Sequence, residues 1–177
     1  SLRVLPSEGT TEARALFHEA HLLLAVKRLQ AGAYDEALRL VNTAREWPEA
    51  LGAGKPYPAD VDERLEDWFT AQCQLARKAP DAASQALERI LAIPARRTGQ
   101  GTGDLIRVLA LKQCGRAAEA GQLFKDWQAQ DPGTDLAKWG AQLFAGGSAP
   151  LPPSLQDFNC RILAGIASCG QRSEPLP

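Results

Sequence analysis

From Ala13 to Gln30 the apolar residues Leu16, Phe17, Ala20, Leu23, Leu24, Val26 and Leu29 recur at three- and four-residue steps, the spacing of one packed helical face. Gly32 breaks this stripe, and Tyr34-Asp35-Glu36-Ala37 opens a second helix with Ala37, Leu38, Leu40, Val41 and Ala44 inward. That helix has to end before Pro48, because a residue preceding proline is pushed out of helical dihedrals. A loop rich in Gly and Pro follows. A third helix is then predicted from an Asp60 cap to about Ala79, with Leu65, Trp68, Phe69, Cys73 and Leu75 inside. Its acidic start, Asp62-Glu63, suits the positive end of the helix dipole. The fourth helix is predicted over Ala82 to Ile93, Pro80 being tolerated in a first turn. The fifth runs from Leu105 to Cys114, the sixth from Ala117 to Gln130 and the seventh from Asp135 to Ala145. Ser154 is the expected cap of an eighth, from Leu155 to about Cys169. The pattern predicts an all-α chain. Residues 1–145 form a helical array, and residues 146–177 hold a Gly/Pro linker, a C-terminal helix and a polar tail.

The helices fall into short-linked pairs, and one pattern recurs. Gly32-Ala33-Tyr34-Asp35-Glu36-Ala37 leads to Val41 and Ala44; Lys78-Ala79-Pro80-Asp81-Ala82-Ala83 leads to Leu87 and Ile90; Gly115-Arg116-Ala117-Ala118-Glu119-Ala120 leads to Phe124 and Trp127. With Pro132 closing the third unit, these copies resemble the tetratricopeptide repeat. Its unit has about 34 residues, so the wider spacing of Ala37, Ala83 and Ala120 implies insertions in the two long loops. The second unit has Lys78 where the family has a turn glycine. The resemblance implies a right-handed α-α superhelix, because each pair is amphipathic on two sides and has to stack on its neighbours. A narrower resemblance rests on Ala44 to Pro56 (AREWPEALGAGKP) followed by Asp60 to Trp68. It looks like a segment of certain bacterial tetratricopeptide proteins with an upstream, β-rich, mutarotase-like domain of unknown function. That likeness implies a carbohydrate connection and no particular reaction. A chain opening on Ser1 then reads as a piece of such a protein.

Composition narrows the function classes. The 177 residues carry 20 basic and 21 acidic side chains, so no positive excess drives nucleic-acid or anionic-membrane binding. No apolar run approaches the roughly 20 residues of a membrane span. The four cysteines, Cys73, Cys114, Cys160 and Cys169, form no C-x-x-C pair. Three sit in apolar helical stretches and read as buried free thiols, which favours a reducing compartment such as the cytoplasm.

Several constellations invite chemistry and have plainer explanations. Gly52-Ala53-Gly54-Lys55-Pro56 lacks the leading glycine and the trailing Ser or Thr of a phosphate loop; it reads as a stiffened turn. His18 and His21 share a helical face without a third metal ligand, and His21 lies in the apolar stripe as a packed, hydrogen-bonded histidine. The run Asp60, Asp62, Glu63, Glu66 and Asp67 could supply the carboxylate pair of a glycosidase, but reads as a solvated capping turn. Neither a cofactor, a metal nor an enzyme activity is indicated.

What remains is binding. The sequence points to a protein-interaction scaffold for a peptide or partner domain; the alternative is a non-catalytic accessory to an upstream domain of the same polypeptide. Stacked pairs leave a concave face lined by the first helix of each, with Glu19, Leu22, Val26, Trp68, Gln72, Leu105, Leu109 and Lys112 as its candidates. Trp47 and Tyr57 bracket the long loop, with Arg45 and Lys55 as anchors or ligand donors, since loops on rigid scaffolds often carry binding residues. The plainer role for Trp47 is to pin the loop onto the second helix pair. The C-terminal helix either caps the stack or fills its groove.

Overall fold

A computed structural model describes residues 10–52, 54, 56–57, 61–93, 101–147 and 149–169. Lys55, Asp60 and the tail after Cys169 lie outside them. Among the described residues the protein is all-α, with eight helices: α1 (Thr10–Gln30), α2 (Tyr34–Ala44), α3 (Arg64–Ala76), α4 (Pro80–Ala92), α5 (Thr102–Gln113), α6 (Ala117–Gln130), α7 (Asp135–Phe144) and α8 (Phe158–Ala167). A 3-10 turn, Glu49–Leu51, interrupts the long loop.

The pattern that repeats in the sequence repeats in the backbone. At Gly32, Lys78 and Gly115 φ is 75°, 59° and 73°. In each turn the amide of that residue donates to a carbonyl three positions back (Leu29, Leu75, Lys112), and the next amide reaches Arg28, Gln74 or Leu111. These paired bonds satisfy the last carbonyls of α1, α3 and α5 in the same way. Just beyond each turn Ala37, Ala83 and Ala120 are fully buried; the small side chain lets the helices of a pair approach closely.

The pairs are α1 with α2, α3 with α4 and α5 with α6; α2 packs against α3, and α4 against α5. This places α3 among neighbours on nearly every side. Its residues 64–69 and 71–73 are all buried. Phe69, Leu87, Ile90, Ile106 and Trp127 belong to one continuous core. The third pair holds α7 through aromatic contacts: the Phe124 and Phe144 rings stack at 4.5 Å, and Gly140 passes so close to Trp127 that a Cβ there would lie 2.7 Å from the indole.

The last helix departs from the expected bounds. Leu155 N donates to Pro152 O in a turn, so the chain leaves the proline pair without entering a helix. Ser154 Oγ bonds Asp135, and the cap is Asp157, whose carboxylate accepts from Cys160 N at 3.0 Å. Helix α8 lies on α1 and α3 and buries Cys160, Ile162, Leu163 and Ile166. Gly165 allows this approach, since a Cβ at that position would stand 2.7 Å from Val26 Cγ1. The face shared by the first helices of the first two pairs is therefore occupied by the chain's own C-terminal helix. No described helix is long and apolar enough to cross a membrane.

Lys78 holds the left-handed turn position where the other two units have glycine. Replacing it with glycine is expected to stabilise the protein by about 0.5–1 kcal/mol, the relieved strain less glycine's extra freedom in the unfolded chain. A urea midpoint that falls for Lys78→Gly would contradict the assignment.

Candidate functional site

The first turn of α3 places three charged side chains in succession inside the protein. Arg64, Glu66 and Asp67 are only 2%, 5% and 3% exposed, which corrects the expectation of a solvated capping turn at Glu66 and Asp67; Asp62 is exposed, as expected, and Glu63 is half-buried. Each of the three is buried because a different neighbour meets it. The Asp62 carboxylate accepts from Arg64 N at 3.2 Å and from Arg64 Nε at 2.9 Å. The far side of the guanidinium donates through Nη1 to Asp104 on α5 at 2.6 Å. Gly103 makes room for this reach, since a Cβ there would come within 2.5 Å of Arg64 Nη2. Glu66 Oε1 lies 2.6 Å from His18 Nε2 on α1. Asp67 Oδ1 accepts from Arg45 Nη2, just past α2, and from Arg89 Nη2 on α4, both at 2.8 Å. Arg45 also pairs with Glu63.

These partners outweigh the cost of burial. Burial alone lowers the pKa of Arg64 and Arg45, because it disfavours a charge removed from water. For Arg64 the bonds to Asp62 and Asp104 reverse that shift; for Arg45, Asp67 and Glu63 do so. Both guanidinium groups end with pKa values above the ordinary one.

A pocket of about 330 Å³ opens beside this turn. Arg14, Ala15 and His18 of α1 form one wall; Arg45, Trp47 and Val61 to Glu63 form the next; Leu65 and Glu66 of α3, Gly103 and Ile106 of α5, and Asn159 of α8 complete it. Arg14 is its most unusual member. Only 8% exposed, it donates from Nη2 to Ala44 O at 2.8 Å and stacks over the Trp47 ring at 4.4 Å. Its Nε is buried without an acceptor. Burial lowers its pKa, against the pull of Glu66 and Glu63.

The residues expected to bind a partner separate into three groups. Arg45 and Trp47 line the pocket, half-buried. Trp47 packs on Arg14 of α1. Tyr57 is 81% exposed, and Lys55 lies outside the described residues. By contrast Leu22, Val26, Trp68, Gln72 and Leu105 are buried, so they do not line an open groove. Packing between the pairs and the docking of α8 account for that. Glu19 and Leu109 are half-buried. Lys112 is exposed, donates to Phe144 O and sits 5.1 Å from the Phe144 ring, so it serves the end of α7.

His18 and His21 serve different partners. His21 Nδ1 donates to Phe17 O at 2.7 Å, as expected of a packed histidine, whereas His18 meets Glu66. Among the described residues no group of three His, Cys, Asp or Glu side chains is gathered to hold a metal. The cysteines are free; burial pushes the thiol pKa of Cys73 up to about 12 and that of Cys160 up to about 11, leaving them protonated at neutral pH. Sequence reasoning overlooked Arg14. Its signal was position: Arg14, His18, Leu22, Ala25 and Leu29 fall on one helical row, and a cation starting a buried row needs explanation.

Neither a protein-family model, a curated protein nor a solved structure matches the chain.

Because Asp67 is buried and Arg89 is half exposed, removing them should not be equivalent. Asp67→Ala is expected to cost about 3 kcal/mol, the scale for breaking a buried pair, against about 1 kcal/mol for Arg89→Ala. Equal losses in urea denaturation would show that the carboxylate is not the centre of the cluster.

Proposed function

We propose that the protein is a non-catalytic helical binding module that docks a peptide or a partner domain at the pocket between Trp47 and the starts of α1, α3 and α5. The observation that carries this reading is the wall itself. It gathers residues from five separate segments around a cleft, and Arg45, His18, Glu63 and Glu66 are each held by partners within the wall. A surface fixed in this way loses little side-chain freedom when a ligand arrives. Each of its carboxylates already has a protein partner: Glu63 has Arg45, Asp62 has Arg64 and Glu66 has His18. Trp47 offers a half-buried aromatic of the kind that dominates binding energy at interfaces. Exposed Tyr57 stands on the same loop and extends the contact outward.

The expected docking face differs from the one suggested by the helix pattern. With α8 seated on α1 and α3, the pocket at the end of those helices is the part left to a partner. Trp47→Ala removes the ring from Arg14 and is expected to weaken capture of partner proteins by about tenfold or more, the scale of an interface anchor. The far-UV circular dichroism should stay unchanged. An identical set of captured partners at identical yield would remove the pocket from consideration.

A further inference from the structure

The basic side chains in and beside the pocket are not equivalent. Arg45 has Glu63 and Asp67, Arg64 beside the pocket has Asp62 and Asp104, and His18 meets Glu66. Arg14 is more buried than Arg45 or His18, yet among the described residues its contacts are a backbone carbonyl and aromatic rings. Ala44 O belongs to the last residue of α2, where the helix dipole is negative, and the Trp47 ring presents its electron-rich face. Both stabilise the charge without neutralising it. Glu66 and Glu63 act on the Arg14 charge from a distance, but no carboxylate among the described residues bonds to it, and its Nε has no acceptor; a carboxylate bonded to the guanidinium would relieve the cost of burying it.

We propose that the pocket takes a carboxylate, either the free C-terminus or an acidic side chain of a partner peptide, against Arg14. The inference rests on the docking reading above and names its chemistry. A planar guanidinium matches a carboxylate in shape and in donor spacing. Ala15, Leu65 and Ile106 supply apolar wall for the carbon that bears it. The volume of about 330 Å³ lies at the small end of ligand pockets, which fits the end or side chain of one residue and not a longer segment. Charge selects a singly charged group. Glu63 and Glu66 face Arg14 across the pocket, and with Arg45 and His18 as their partners they tolerate one added negative charge better than the two of a phosphate.

The test uses the full chain labelled with nitrogen-15, following the Arg14 Nε–Hε and Trp47 indole resonances. The probes are N-acetylglycine, its uncharged twin N-acetylglycinamide, N-acetylaspartyl-methylamide and inorganic phosphate. Saturable shifts at both resonances are expected from the two carboxylates, with affinity at least about tenfold above the amide's. The tighter of the two assigns the source, chain end or side chain. In Arg14→Gln the preference for acid over amide should vanish; if that variant does not fold, the comparison within the wild type decides alone. Equal binding of acid and amide, or phosphate binding more tightly than either carboxylate, overturns the carboxylate assignment and leaves a docking pocket standing. Absence of any shift at Trp47 from all four probes overturns both.

Discussion

The architecture depends on one constraint: three buried charged residues on a single turn of α3 make four ties, each to a different segment. Arg64 reaches α5, Glu66 reaches α1, and Asp67 collects Arg45 from the end of α2 and Arg89 from α4. Hydrophobic burial is non-directional and would accept α3 in many rotations and offsets. Buried charges would not, because each wrong register leaves an ion unpaired at low dielectric. The apolar core supplies the driving force for bringing the pairs together, and the charged turn selects how they meet. The same turn forms part of the pocket wall, so the groups that set the register also position the surface assigned to binding.

Much of the fold was legible because it is written in local chemistry. The apolar stripes and the repeated turn residues located all eight helices, and α6 ends where the sequence places it. Lys78 tests this best: its turn adopts the glycine geometry of its two counterparts because the hydrogen bonds of the helix end and the packing around Ala83 require it. Less was legible where long-range partners decide the outcome. The run Asp62, Glu63, Glu66 and Asp67 has the composition of a solvent-facing cap. Asp62 stays exposed and Glu63 half-buried, but the arrival of His18, Arg45 and Arg89 from distant positions lets Glu66 and Asp67 turn inward, and no local pattern announces those meetings. The start of α8 was misplaced for a smaller reason, since Ser154 and Asp157 are both competent caps and tertiary contacts chose the second.

The groove illustrates a similar limit. Helical period identifies Trp68, Gln72 and Leu105 as inward, but the same signal describes a residue facing a groove and a residue facing the core. Here α3 is enclosed by its neighbours and α8 lies across α1 and α3, with Gly165 admitting the contact. The pocket proposed for docking lies instead where Trp47 and Arg14, far apart in sequence, are brought into contact by the folding of the first pair.

If the charged turn of α3 fixes the register, its ties have to act as pairs. The most direct measurement is a double-mutant cycle on Arg64 and Asp104, with urea unfolding of Arg64→Met, Asp104→Leu and the double variant. Arg64→Met leaves Asp104 without its partner and is expected to cost about 3–5 kcal/mol; Asp104→Leu leaves Arg64 its Asp62 partner and is expected to cost less, while the double variant recovers most of the Arg64→Met loss, as apolar replacements of buried pairs do. Small and additive losses, with the double variant no better than the sum of the singles, would contradict the claim that buried ion pairing holds the stack in place.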